Sequence, residues 1–402
     1  MSEQKKAEFD RRAFLKGTTA IAGSAAIGAL TPLAARAQSS KVRVGMMLPA
    51  TGTFAPLGDS VIKGFKLALE ESGGKFAGRE LEFFHVDDES NPAKAPEYTN
   101  RLIQRDKVDV LVGTVHSGVA LGISKIVRQT GTLWLNPVAT TDELTGVLCA
   151  PNVFRTSFTS WQTLSPLGKV LIDHNHKKVV HITWNYVVGQ QNFADFKEGF
   201  EKVGGQLVKE LWVPFPQVEF QALLTEIASI KPDAVVAWFA GAGAAKFLKD
   251  YAAAGLKGKI PLYGQGYLTE GVLHSLDGEA EGVISTFPYG DGLTIPRDKD
   301  FRLAYQKKYN AVPDTVAVTG YDTAQLLKIG LEAVSGDVGN KAGMIKGMEA
   351  AKIDSPRGPW VMSKAHNPIQ DIYLRKVVGR ENKVVGVVAK MLPDVARDCK
   401  MN

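Results

Sequence analysis

Val42-Arg-Val-Gly-Met-Met-Leu48, then Val61, Phe65, Ala68 and Leu69, then Gly73-Gly74, then Leu81-Glu-Phe-Phe-His-Val86 is the stretch on which the fold turns. A short β-branched run, an apolar set at helical spacing, a glycine stop and a second β-rich run read as strand, helix, strand. Parallel strands need a crossover of this length, so the unit predicts a parallel sheet. The pattern continues outward with runs at Val108 to Val112 and Leu133 to Asn136. A second series follows, with runs at Val179 to Thr183, Leu207 to Val213 and Ala234 to Phe239. Helical stretches lie between them, through Phe196 and Phe200 and over Phe220 to Ser229. The chain is therefore expected to be α/β, with two doubly wound lobes. Short connections near Arg155 to Phe158, Pro288 to Gly292 and Pro356 to Trp360 reset the pattern and predict three crossings between lobes. This sets one lobe at 38–157 with 288–358, the other at 158–287 with 359–392, and a tail at 393–402.

Ahead of the first strand, Asp10-Arg-Arg-Ala-Phe-Leu-Lys16 precedes a weakly apolar run, Gly17 to Leu33, and a small-residue site, Ala35-Arg-Ala37. These features predict a Tat-type signal over 1–37, cleaved near Ala37, and hence handling by the Tat export machinery and a periplasmic location. A retained signal anchor is the competing reading. Removing 37 of the 402 residues leaves enough chain for two domains with proper cores. The leader carries six basic and three acidic residues, so cleavage lowers the net charge from +6 to +3, too mild to suggest nucleic acid. Cys149 and Cys399 fit no zinc spacing. In an oxidising compartment they predict one disulfide, with two buried thiols as the alternative.

The order of Leu48-Pro-Ala-Thr-Gly-Thr-Phe-Ala-Pro-Leu-Gly58, Val112-Gly-Thr-Val-His-Ser117, Asn136-Pro-Val-Ala-Thr140, Phe154-Arg-Thr-Ser157 and Gly320-Tyr-Asp322 resembles the leucine/isoleucine/valine-binding family of periplasmic solute receptors. The resemblance covers essentially the whole chain after the leader. It implies a type I periplasmic binding protein fold, two lobes on a three-segment hinge, and a monomer. It also implies closure on a small carboxylate ligand and delivery to an inner-membrane ABC permease.

Ser117 directly precedes the apolar helical set Val119, Ala120, Ile123 and Val127, so it is read as an N-cap at a helix end that attracts anions. Val138, Ala139 and Thr140 follow a predicted strand and would face the crevice at its carboxyl end. The resemblance implies that both loops hold the ligand carboxylate; an ordinary cap and an ordinary turn are the alternatives. In aliphatic amino acid receptors of the family an acidic residue meets the ligand ammonium in the loop equivalent to Tyr263-Gly-Gln-Gly266. Here that place falls to Gln265, whose amide offers no counter-charge, which argues for a carboxylate without an α-amine.

Flat side chains gather in the same region: Trp161, Trp184, Tyr186, Trp238 and Tyr267, with Phe54 from the first lobe and Val188 beside Tyr186. The segments Val115-His-Ser-Gly-Val-Ala120 and Asn185-Tyr186 look like the branch of the family that binds aromatic acids. Trp184 and Trp238 read equally well as core residues at strand ends. His116 reads equally as a ligand hydrogen-bonding group and as packing beneath its loop.

Other signals carry less. His174-Asn-His176 lies in a polar connection with no third ligand close in sequence, and Asp87-Asp-Glu89 lacks the alternating oxygens of a calcium loop. Gly241-Ala-Gly-Ala-Ala-Lys246 lacks the Gly-Lys-Ser/Thr ending of a phosphate loop. With no nucleophile elbow or zinc helix signature, neither an enzyme nor a cofactor is expected. The alternatives kept open are an amino acid receptor of the same transporter class and a sensor without transport.

Overall fold

A computed structural model of the chain describes residues 41–401, so the expected leader at 1–37 lies outside the described residues. The first lobe opens with β1 (Lys41–Met47), α1 (Ala55–Glu71), β2 (Lys75–Phe76), β3 (Arg79–Val86) and α2 (Ala95–Asn100). It continues through β4 (Val110–Gly113), α3 (Ser117–Thr130), β5 (Leu133–Asn136) and β6 (Val153–Arg155). The second lobe runs through α4 (Ser160–Asp173), β7 (Lys178–Asn185), α5 (Val187–Lys202), β8 (Gln206–Pro214), α6 (Gln221–Ile230) and β9 (Ala234–Trp238). It goes on with α7 (Gly241–Ala253), β10 (Leu262–Gln265) and β11 (Ile284–Phe287). The chain then returns to the first lobe with α8 (Pro296–Tyr309), α9 (Thr315–Glu332) and α10 (Lys341–Glu349). It finishes on the second with β12 (Val361–Met362), β13 (Pro368–Val378) and β14 (Glu381–Leu392).

The sheet orders are β2-β3-β1-β4-β5-β6 and β12-β13-β11-β10-β9-β7-β8, with β14 paired to β13. The central strands are parallel, and β4 and β9 are fully buried, as their unbroken apolar runs require. One edge of each sheet is antiparallel, at β2–β3 and at β12–β13–β14. At β13–β14 the Val378↔Glu381 pair closes a two-residue loop with Gly379 at φ 61°, a conformation suited to glycine. The first helix begins at Ala55, six residues before the apolar periodicity becomes visible, because Pro56 occupies its opening turn. Gly64 lets α1 meet α9 backbone to backbone; a Cβ there would lie 1.9 Å from the Ala317 carbonyl oxygen. Among the described residues no helix is long and apolar enough to cross a membrane.

The chain passes between the two sheets three times, after β6, after β11 and before β12. Arg357 stands where the last passage meets the first. Its guanidinium pairs with Asp322 on α9 at 3.0 Å and donates to the Thr156 carbonyl at 2.6 Å. Thr159 and Gln162 then form a reciprocal capping box that starts α4 immediately after the first passage.

Beyond β14 the tail returns to the first lobe. Cys149 and Cys399 are joined there, with Cα atoms 5.6 Å apart, and Asp394 accepts from the Thr145 hydroxyl at 2.8 Å. Arg397 pairs with Glu198 on α5. The bridge closes a sequence separation of 250 residues. Replacing both cysteines by serine is expected to lower stability by on the order of 5 kcal/mol in the chain-entropy account, read as a fall in Tm that a reductant reproduces in the wild type. An unchanged Tm in both experiments would refute the bridge's stabilising role.

Candidate ligand-binding site

The parallel strands of both sheets point their carboxyl ends at a common cleft, where the loops that follow them meet. Behind β1 come Phe54 and Leu57, behind β4 Val115 and Ser117, and behind β5 Val138 and Thr140. From the second lobe come Trp238 and Ala240 at the end of β9, Tyr186 and Val188 behind β7, and Tyr267 behind β10. These residues surround a cavity of only about 20 Å³, room for about one water in this closed form. The cleft is shut over it. The Tyr267 hydroxyl donates to the Val138 carbonyl at 3.2 Å, and Asp142 N–H donates to Gln191 Oε1 at 2.9 Å. Gly241, at φ 55°, admits the Thr53 carbonyl of the other lobe; a Cβ there would lie 2.4 Å from that oxygen.

At the first-lobe end the expected cap is displaced by one residue. His116, not Ser117, is the N-cap of α3: its Nδ1 accepts from Gly118 N–H at 2.9 Å and Val119 N–H at 3.3 Å. A ring nitrogen can do this only when it carries no proton, and burial agrees, pushing the imidazole down to about 4. His116 is therefore a neutral cap, packed on Tyr186 with ring centroids 5.0 Å apart, and it is not among the cavity-lining residues. Ser117 becomes the first helical residue and lines the cavity.

The Val138–Thr140 loop is held from behind. Asn136 Oδ1 accepts from Val138 and Ala139 N–H, at 3.3 and 3.0 Å, and its amide donates to the Ala139 carbonyl. Arg155, fully buried, donates to the Ala139 and Thr141 carbonyls. Ala139 thus serves the first-lobe core and does not line the cavity. Ser160 donates to Thr140 Oγ1 at 3.0 Å.

At the second-lobe end, Trp238 packs on Tyr186 and Trp184 with centroids 5.8 and 6.1 Å apart, and Phe54 reaches Trp184 across the cleft at 6.2 Å. Trp184 sits in the layer behind; its indole N–H donates to the Gln217 carbonyl. Two expected contacts fall elsewhere. Gln265 is fully buried, and its amide is occupied by Trp238 and Thr163, so the indole stands where a ligand contact was expected. Trp161, on the first turn of α4, lies by Asp142, with its backbone N–H 3.5 Å from Asp142 Oδ1 and its indole N–H buried without a hydrogen-bond partner. Leu57, Val115, Ala240 and Tyr267 complete the lining. Only Tyr267 carried a sequence signal, its aromatic character beside the β10 strand end. No lining residue is acidic.

Residues 41–382 match the family model described as periplasmic binding protein. The chain belongs to this family. A Leu/Ile/Val-binding protein homolog 6 of Brucella melitensis is 29% identical over 361 residues, covering 88% of this chain and 91% of the relative. An ABC transporter solute-binding protein of R. palustris, solved in complex with benzoate, is 44% identical with a TM-score of 0.88, covering 90% of this chain and 99% of that one. Another, from Rhodopseudomonas palustris BisB5 in complex with 3,4-dihydroxy benzoic acid, is 29% identical with a TM-score of 0.84, covering 89% and 99%.

In this periplasmic binding protein no group of three or more His, Cys, Asp or Glu side chains is placed to hold a metal ion among the described residues. His174 instead hydrogen-bonds the Tyr263 hydroxyl at 2.8 Å. Beside the site, two buried carboxyls face each other across the cleft, Asp142, behind Thr140, and Asp195 on α5, each with one oxygen left without a hydrogen-bond partner. Burial pushes Asp195 up to about 7, with Glu198 and Asp394 adding to the rise and Arg397 opposing it. Burial also raises Asp142, helped by the charges of Asp195 and Asp394 and opposed by Arg155. Burial of both carboxyls therefore favours the protonated form of Asp195. The folded state holds a proton that the unfolded chain releases near the ordinary carboxylate value, so stability falls as pH rises through the interval up to about 7. Asp195→Asn is expected to gain on the order of 1–3 kcal/mol over the wild type on going from about pH 5 to pH 8. Parallel Tm curves for the two proteins across that range would refute the raised pKa of Asp195.

Proposed function

We propose that this protein is the solute receptor of an ABC importer of the branched-chain amino acid type, closing its two lobes on an aromatic carboxylate without an α-amine. The observation that carries this reading is the makeup of the cavity. The Ser117 and Thr140 hydroxyls stand at one end, aromatic faces at the other, and no carboxylate waits for an ammonium. A buried ammonium without its charge-assisted partner loses about 1.5–3 kcal/mol, whereas a planar ring gains from every flat wall. The benzoate and dihydroxybenzoate bound to the two R. palustris relatives support the same ligand class.

Ser117 and Thr140 receive the carboxylate first, and Tyr186, Trp238 and Tyr267 close on the ring when the lobes turn about their three connections. The moving bodies are 38–157 with 288–358 and 158–287 with 359–392. The receptor works as a monomer in the periplasm after export by the Tat route and removal of 1–37. The Cys149–Cys399 bridge forms there, and the closed form docks on an inner-membrane permease.

A thermal-shift screen of protein freed of endogenous ligand tests this reading. Benzoate, hydroxybenzoates and cinnamate are expected to raise Tm, while leucine, valine and glutamate leave it unchanged. A rise with leucine or valine alone would overturn the proposal in favour of an amino acid receptor. Ser117→Ala is expected to cost about 1–3 kcal/mol of benzoate binding by titration calorimetry, and undiminished affinity would remove Ser117 from the carboxylate site.

A further inference from the structure

A run of buried hydrogen bonds connects the aromatic wall of the cavity to its carboxylate end, through residues that do not line it. Trp238 Nε1–H donates to Gln265 Oε1 at 2.7 Å, and Gln265 Nε2–H donates to Thr163 Oγ1 at 2.6 Å. Thr163 gives its own hydroxyl proton to the Ser160 carbonyl at 3.0 Å. Ser160 N–H donates to the Thr140 carbonyl at 3.1 Å, and Ser160 Oγ–H has Thr140 Oγ1 at 3.0 Å as its nearer acceptor and the Thr140 carbonyl at 3.4 Å as its farther one. Gln265, Thr163 and Ser160 are all fully buried.

Donor chemistry gives the run a single direction. An indole N–H can only donate, so the Gln265 oxygen must face Trp238 and its NH₂ must face Thr163. Each hydroxyl has one proton. Thr163 has spent its proton on the Ser160 carbonyl, and Ser160 gives its own to the nearer of two acceptors, Thr140 Oγ1. Thr140 therefore accepts from behind and keeps its proton for the cavity it lines, where a carboxylate oxygen is the matching acceptor.

We propose that Ser160 and Gln265 are positioning residues for one shared recognition step. Ser160 aims the Thr140 hydroxyl at the ligand carboxylate, Gln265 holds the Trp238 indole as a flat wall, and the first turn of α4 ties the two. Selection for charge at one end and for planarity at the other is thereby set by a single network. This inference rests on the proposed aromatic-acid ligand only for its choice of probes.

Ser160→Ala and Gln265→Leu, with folding checked by circular dichroism, test it against benzoate, benzamide and cyclohexanecarboxylate by calorimetry. Ser160→Ala is expected to weaken benzoate about three- to tenfold, the loss of one oriented hydrogen bond, and to affect benzamide less. Gln265→Leu is expected to lower the preference for benzoate over cyclohexanecarboxylate about three- to tenfold. The double variant should lose less than the product of the two single losses, and a full product overturns the shared network. Folded single variants with wild-type affinities and ratios overturn the positioning roles.

A second readout needs no ligand. The Trp238 indole N–H resonance, assigned through Trp238→Phe in protein labelled at tryptophan, is expected to move upfield in Gln265→Leu. If wild-type protein ignores benzoate yet this shift appears, the ligand class is wrong and the Trp238–Gln265 link stands. An unmoved resonance overturns the link whatever the ligand.

Discussion

The interaction on which the rest depends is the ion pair of Arg357 and Asp322, buried where two of the three chain passages meet. Burial pushes Asp322 up to about 6, opposed by Arg357 and by donors from Ser355 at 2.8 Å and Trp360 at 3.1 Å. Such a pair adds little net stability, because desolvation offsets most of the attraction, but its geometry is demanding. Arg357 spends its remaining donors on the Thr156 and Ser157 carbonyls, the residues that lead into α4. The direction of α4 therefore depends on a charge pair in the other lobe. The first turn of α4 in turn carries Ser160, which reaches Thr140.

The same economy governs the anion site. The proposed ligand carboxylate is offered the Ser117 and Thr140 hydroxyls, with no cation in the lining. The positive charge lies one layer deeper, on Arg155 beneath the Ala139–Thr141 backbone. Among the described residues no carboxylate comes within ion-pair distance of it, although Asp394 and Asp142 face it from further away. A buried guanidinium bonded mainly to carbonyls leaves a favourable potential for an incoming anion at the loop above. The ligand then needs no direct ion pair, whose desolvation would have to be overcome in both partners.

The alternation of β-branched runs with helical apolar sets was legible from Val42 onward, since each signal is carried by residues only a few places apart. Strand ends followed, and with them the loops at Phe54, Ser117, Val138, Thr140, Tyr186 and Val188, because a parallel sheet presents ligands to the carboxyl ends of its strands. The antiparallel β13–β14 hairpin was less legible, as its Gly379-Arg380 turn is a weak signal without its cross-strand partners. His116 and Ser117 show the limit of local reading. Both can cap a helix, and the loop geometry after β4 gave the role to the imidazole.

Gln265 marks the boundary most clearly. Its residue type, a neutral amide where an acid would meet an ammonium, is written in the sequence and still argues against an amino acid ligand. Its partners are not, because Thr163 and Trp238 lie 102 and 27 residues away and are brought to it only when β9, β10 and α4 pack. The sequence by itself determined the element order as far as β9, the parallel character of the sheet cores and the kinds of side chain available at the strand ends, all short-range properties of a chain with periods of two and 3.6 residues. The tertiary structure decided which of those side chains face the cavity and which are consumed behind it. Each buried donor and acceptor must find its partner across elements, and only the packed arrangement says where that partner stands.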